Sequence, residues 1–168
     1  MKIISIDPGY ERLGIAILEK IPKQKDILIY SECFKTSAKI PFNERLGIIG
    51  EEVRIVIEKY KPEAMAIETL FLTTNQKTAM QVAEARGVVV YEGARAGLKI
   101  FEFTPLQVKI AVSSYGKADK KQVHMMVKKL ISIDENIKSD DEIDAIAVGL
   151  TCLASVNFQD IPNSYCQK

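Results

Sequence analysis

Histidine is nearly missing from this 168-residue chain, in which His124 is the only one. A histidine-based zinc site or a Ser-His-Asp triad therefore has almost no material. Cysteine is scarce too. Cys33, Cys152 and Cys166 lack the spacing of a metal site and leave an odd one over, which suits a reducing compartment better than a disulfide framework. Neither sign of charge is in excess, since 23 basic and 22 acidic residues leave a net charge of +1. That balance excludes a global basic signature, so any affinity for nucleic acid has to come from local patches. No apolar stretch is long enough to span a bilayer, and no signal-peptide pattern opens the chain. Internal repeats and low-complexity tracts are absent as well. The remaining composition is ordinary, with 47% hydrophobic and 27% charged residues, and the length suffices for one core without disulfides. The expectation is a cytoplasmic domain over residues 1–156 and a polar, flexible tail over 157–168, with no membrane association.

What the chain does contain is organised around Lys2 to Gly9, which reads Lys-Ile-Ile-Ser-Ile-Asp-Pro-Gly. The apolar run predicts a buried strand that stops abruptly at a carboxylate, Asp7. Pro8 cannot donate to a ladder, and Gly9 permits a tight turn. A second run, Leu13–Leu18, follows at once and puts Asp7 at the tip of a hairpin. Asp26–Phe34 supplies a third strand. The short loops between these strands predict an antiparallel meander. Leu46, Ile49, Val53, Val56 and Tyr60 recur at three- and four-residue steps, which predicts a helix from about Pro41 to Tyr60. Ala64–Glu68 is a short apolar strand reached by crossover. Asn75 to about Leu98 predicts a long helix with Met80, Ala83, Gly87, Val90 or Tyr91, and Ala94 along one side. Gly87 and the valines after it mark a kink or a close contact. A strand at Lys99–Phe103 follows, then a helix at Leu106–Val112 behind Pro105, and a helix at Lys120–Ile131 capped by Asp119. A last helix runs from Ser139 to about Val156. The fold class is α/β, a mixed five-stranded sheet that is antiparallel across its first three strands and flanked by helices.

Carboxylates stand where apolar residues are expected. Glu68 repeats the oddity of Asp7 by ending an apolar strand, and a carboxylate there is costly unless it meets cations or solvent. Taken singly, either residue is explained by a strand end facing water. In the last helix, Ser139 and Glu142 predict a capping box, and Asp140 and Asp141 suit the positive end of the helix dipole. Asp144 escapes that explanation because it opens an apolar run, Ile143 to Ala147. Asp141 and Asp144 share one helix face and would repel unless a cation sat between them. Four oxygen donors without a histidine are what hard divalent cations such as Mg²⁺ or Mn²⁺ want.

In order along the chain stand Ile6-Asp7-Pro8-Gly9 with Gly14, Ala66-Ile67-Glu68 with Phe71 and Asn75, and Glu84 to Val88. Gln107-Val108-Lys109, Gly116 through Lys120, and Asp141 to Ala147 follow. In this set and order the chain resembles the RuvC-type Holliday junction resolvases, crossover junction endodeoxyribonucleases of the RNase H-like superfamily, over almost its whole length. The resemblance implies an RNase H-like fold and places Asp7, Glu68, Asp141 and Asp144 on the family's four acidic catalytic, metal-binding positions. It also implies a homodimer that acts on four-way junction DNA in recombination and repair, with a branch-migration helicase of the RuvA and RuvB type as a further partner.

Phosphodiester hydrolysis by such a family uses two ions about 4 Å apart, Mg²⁺ or Mn²⁺, and leaves 5′-phosphate and 3′-hydroxyl nicks. Lys109, Lys117, Lys120, Lys121, Lys128 and Lys129 face a single acid, Asp119, between positions 109 and 129. Solvated lysines are the common case, whereas phosphate contacts would be salt-sensitive and indifferent to sequence. Lys109 and Lys120 match family lysines, and Lys117 and Lys121 are further DNA-binding candidates. Phe71 either stacks on an unpaired base, as the resemblance implies, or packs in the core. His124 reads as packing or surface, and Arg86 as helix packing. A nuclease of the same fold acting on structured RNA, and a non-catalytic junction-binding module, are the alternatives.

Overall fold

The computed structural model describes residues 1–70, 76–133, 137 and 139–156. Strands β1 (Lys2–Asp7), β2 (Arg12–Glu19) and β3 (Ile27–Lys35) come first, then α1 (Phe42–Tyr60) and β4 (Ala64–Glu68). Helix α2 (Gln76–Arg95), β5 (Lys99–Phe103), α3 (Pro105–Ser113), α4 (Lys120–Leu130) and α5 (Asp140–Ser155) complete the described chain. The sheet order is β3-β2-β1-β4-β5. The first three strands pair antiparallel, and β4 and β5 add in parallel. This is the expected mixed sheet. No helix among the described residues is long and apolar enough to cross a membrane.

Strand alternation sorts the side chains onto two faces. Ile4 and Ile6, with Leu13, Ile15 and Ile17 and then Met65 and Ile67, pack under α1 and α2 around Ile49, Val53 and Val89. Ile3, Ala16, Ala64 and Ala66 point the other way, toward α3, α4 and α5. Helix α5 is apolar almost all round, with every residue from Ala145 to Leu153 buried, as a helix sandwiched between the sheet and two other helices must be. It lies close to the sheet. A Cβ added at Gly149 would fall 2.5 Å from a methyl of Leu18 and 2.7 Å from the hydroxyl of Ser5.

The ends of the elements are mostly set by local chemistry. Thr104 and Gln107 form a capping box on α3 with Pro105 at its start, and Asp119 and Gln122 form another on α4. The third expected box is not there. The Ser139 side chain makes no capping bond. Its hydroxyl donates to Asp141 Oδ2 at 3.2 Å, while Glu142 accepts from Ser31 of β3 at 3.0 Å. A neighbour in the first turn has taken the serine, and a tertiary partner the glutamate. On α2 the core face is Ala85, Val89 and Gly93, the last against the Met65 thioether. The stripe through Met80, Ala83, Gly87, Tyr91 and Ala94 faces outward, and a Cβ at Gly87 would meet nothing. The tail over 157–168 lies outside the described residues.

Candidate active site

Register and alternation bring the first two acids together. Asp7 shares the face of Ile3 and Ser5, and Glu68 shares that of Ala64 and Ala66, so both carboxylates emerge on the α5 side. Ile6 lies opposite Ile67 in the parallel β1–β4 pair, and one more step puts Asp7 abreast of Glu68. The partner of Asp7 on β2 is Gly14. A Cβ there would overlap the carbonyl oxygen of Asp141 outright and lie 3.2 Å from the Ala145 methyl. Glycine at that one position lets the N-terminal turn of α5 settle beside the end of β1, and Asp141 and Asp144 come with it. From the other side, Arg86 of α2 donates to the Glu68 carbonyl at 3.2 Å and pairs with Glu102 of β5. Arg45 of α1 donates to the Tyr10 carbonyl at 2.9 Å and braces the turn after Asp7.

The electrostatics record the crowding. Burial first, and then the charges of Glu68, Asp144 and Asp141, push Asp7 from 3.8 up to about 7, against an opposing pull from Lys120. Glu68 is likewise pushed up to about 7 by burial and the charge of Asp144, with Lys120 and Lys109 opposing. Lys120 supplies the local positive charge, its Nζ lying 2.8 Å from Asp144 Oδ2 and 3.4 Å from Asp140 Oδ2. Burial works to lower its pKa, but the hydrogen bonds and charges of the two aspartates raise it on balance.

Several neighbours escape a residue-by-residue reading of the sequence. His124 is neither simple packing nor free surface, since its Nε2 is 2.8 Å from Asp144 Oδ1 and its Nδ1 3.6 Å from Asp140 Oδ1. Arg12 lies 3.7 Å from Asp141 Oδ2, and the Cys33 thiol donates to the same oxygen at 3.4 Å. A signal for His124 was available. Lys120 and His124 are four apart on one helix, and Asp140 and Asp144 are four apart on another, so each pair shares a face.

Of the DNA-binding candidates, Lys109 and Lys120 line a cleft of about 180 Å³ together with Glu68 and Asp144, walled on its apolar side by Val108, Val123 and Ala147. Lys117 is exposed on the turn before α4. Lys121 lines a separate shallow groove along α4 with Met125, Lys128 and Lys129. Phe71 lies outside the described residues.

Residues 3–152 match the family model of the crossover junction endodeoxyribonuclease RuvC. The chain belongs to the RuvC family. It is 44% identical over 154 residues to the crossover junction endodeoxyribonuclease RuvC of Thermosipho melanesiensis, covering 92% of this chain and 97% of that one. Identity to the RuvC of Halothermothrix orenii is 43% over 150 residues, or 89% of this chain and 90% of the other. Among solved structures, Thermus thermophilus RuvC in complex with a Holliday junction substrate superposes with a TM-score of 0.86 at 32% identity, covering 92% of this chain and 93% of that one. The α/β architecture is that of the RNase H-like RuvC fold.

The donor set of this RuvC family member fits a hard divalent cation in kind: four carboxylates lie toward one end of the sheet, and burial first, then the charges of the other three, pushes up the innermost, Asp7. Among the described residues, no three such side chains are drawn together tightly enough to hold an ion as they stand. Asp144 is turned to Lys120 and His124 instead.

Proposed function

We propose that this chain is a cytoplasmic, structure-selective endodeoxyribonuclease that resolves Holliday junctions with Mg²⁺, or Mn²⁺ in its place, and that residues 1–156 make up its nuclease domain. The observation that supports this reading is that the charges of Glu68, Asp144 and Asp141 all act on the buried Asp7 at the end of β1, beside a helix start whose close approach needs glycine at position 14. Support for the substrate comes from the crossover junction endodeoxyribonucleases it resembles and from the junction bound to T. thermophilus RuvC.

Asp7, Glu68, Asp141 and Asp144 would hold the cations, two per site, which when bound supply Lewis acidity at the scissile phosphate and a more acidic attacking water. The remaining chemistry belongs to the chain. Burial and the neighbouring carboxylates disfavour the ionised forms of both Asp7 and Glu68, so their ionisation calls for a cation beside them. Lys109 and Lys120, at the cleft, hold and orient phosphate oxygens. Lys117 and Lys121 extend the phosphate contacts outward, and Phe71 stacks on an unpaired base. Val108, Val123 and Ala147 keep water from one wall of the cleft. Symmetric nicking of a four-way junction, to 5′-phosphate and 3′-hydroxyl ends, needs two such sites. The outward stripe of α2, with Met80 65% and Tyr91 61% exposed, supports a homodimer through that helix. A helicase partner of the RuvA and RuvB type rests on the family resemblance alone.

The test uses a synthetic four-way junction with and without Mg²⁺. The wild type should nick symmetrically only with the metal. Asp7→Asn and Asp144→Asn should bind the junction and leave it intact. Cleavage retained in both variants, or equal cleavage of junction, linear duplex and structured RNA, would overturn the reading.

A further inference from the structure

His124 has no part in the reading above, yet its ring is pressed against the start of α5 with only 14% of the side chain exposed. The two oxygens of Asp144 are divided between two partners on α4. Oδ1 faces His124 Nε2 at 2.8 Å, and Oδ2 faces the Lys120 ammonium at 2.8 Å. The partners differ in kind. Lys120 is 54% exposed and carries a compact charge on a flexible four-carbon stem, free to follow a phosphate. His124 is held by its burial and has two torsions. Its other nitrogen faces Asp140, so the ring is clasped between two acids one helical turn apart.

We propose that His124 is the positioning residue of Asp144, and that its Nε2–H fixes Oδ1 so that Oδ2 is left for a cation that Asp144 would hold. An ionised carboxylate can only accept, which makes Nε2 the donor. A ligating carboxylate that is itself hydrogen-bonded keeps one orientation, and losing such an outer partner weakens metal binding by about 10- to 100-fold. Packing alone would require the bulk of a histidine but not a donor at this nitrogen. The inference rests on Asp144 being a cation ligand.

Magnesium is titrated calorimetrically into the DNA-free protein for the wild type, His124→Leu, which keeps bulk and loses the donor, and His124→Gln, which keeps a donor. His124→Leu should bind Mg²⁺ about 10-fold more weakly, with His124→Gln close to wild type. The Mg²⁺ concentration for half-maximal junction cleavage should move by the same factor, while junction affinity without metal stays unchanged. Unchanged Mg²⁺ affinity in a folded His124→Leu, or His124→Gln as weak as His124→Leu, would overturn the proposal. Should His124→Leu fail to fold, His124→Ala takes its place under the same criteria. A wild type that binds no Mg²⁺ would instead remove the metal reading of the four acids, and this inference with it.

Discussion

Toward α1 and α2 the sheet presents Ile4, Ile6, Leu13, Ile15, Ile17, Met65 and Ile67. Toward α5 the same three strands present Ile3, Ser5, Gly14, Ala16, Leu18, Ala64 and Ala66. Replacing an isoleucine by an alanine gives up about 0.8 kcal/mol per CH₂ of burial, so the second face is the weaker one when the strands are considered alone. What it gains is proximity. Large side chains hold α1 and α2 off the sheet, whereas small ones let α5 come down until its backbone meets Gly14, with its own Ile143, Ile146 and Leu153 filling the space. Asp7 and Glu68 project from the small face because alternation puts residues 3, 5 and 7, and 64, 66 and 68, on that side. The face that sacrifices strand burial is thus the face that assembles the acids.

The most severe way to break this asymmetry is Gly14→Ala. A single methyl has no room beside the Asp141 carbonyl, so α5 must shift, and a displacement of about 1 Å costs on the order of 100-fold in rate. Stability should also fall, at or beyond the about 1–3 kcal/mol of ordinary overpacking. Ile15→Val, on the neighbouring residue but the opposite face, should cost about 0.5–1.5 kcal/mol and leave junction cleavage within about twofold. Equal losses of cleavage in the two variants would remove the distinction between the faces.

Asp7→Asn separates the work of the small face from its stability. Because the Asp7 pKa is raised from 3.8 to about 7, the folded state holds a proton between these values that the unfolded chain has released. Stability therefore declines as pH rises from about 4 to about 7, and the deficit is complete above 7. Glu68, raised from 4.5 to about 7, adds to the same slope. In metal-free buffer at pH 8, Asp7→Asn should be more stable than the wild type by up to about 4 kcal/mol, with a flatter dependence of melting temperature on pH. Adding Mg²⁺ should stabilise the wild type and not the variant. A metal-free Asp7→Asn that melts below the wild type at pH 8 would contradict the assigned crowding.

Overpacking the small face away from its glycines is milder. Ala66→Leu should cost about 1–3 kcal/mol by crowding α5, whereas Ile67→Val, one residue on, should cost about 0.5–1.5 kcal/mol by leaving a small gap under α1 and α2. Chemical denaturation of both variants measures the difference, and a larger loss in Ile67→Val would reverse the assignment of the faces.

Much of this asymmetry was legible before the structure. The strand-end positions of Asp7 and Glu68, the buried run behind Asp144 and the mixed sheet all follow from local pattern, and the RuvC resemblance supplied the grouping. The pairing of Asp140 and Asp144 with Lys120 and His124 is written in two intervals of four, but nothing local says that α4 docks on α5, so His124 reads as packing or surface. The stripe of α2 from Met80 to Ala94 has a helical period, but period alone leaves open whether it meets the core or a partner, and in the fold it faces outward. Ala85, Val89 and Gly93 have the same spacing, and the thioether of Met65 beneath Gly93 marks which stripe meets the sheet. Periodicity defines a face, and only long-range packing says what the face meets.

Ser139 is the smallest and sharpest case of the same rule. Its position three residues before Glu142 is that of a capping box, whose loss by Ser→Ala at an N-cap costs typically about 1 kcal/mol. In the fold its hydroxyl is turned to Asp141 and Glu142 to Ser31, both on the side where α5 meets the meander. The helix start is stabilised instead by Asp140, Asp141 and Glu142 in the first turn, which favour the positive end of its dipole. Ser139→Ala should therefore lower stability by less than about 0.5 kcal/mol, measured as a small shift in melting temperature, because it removes no bond to the helix backbone. A loss near 1 kcal/mol would mean that the backbone cap prevails over these side-chain partners, and that the first turn of α5 is less firmly committed to the meander than the Ser31–Glu142 bond implies.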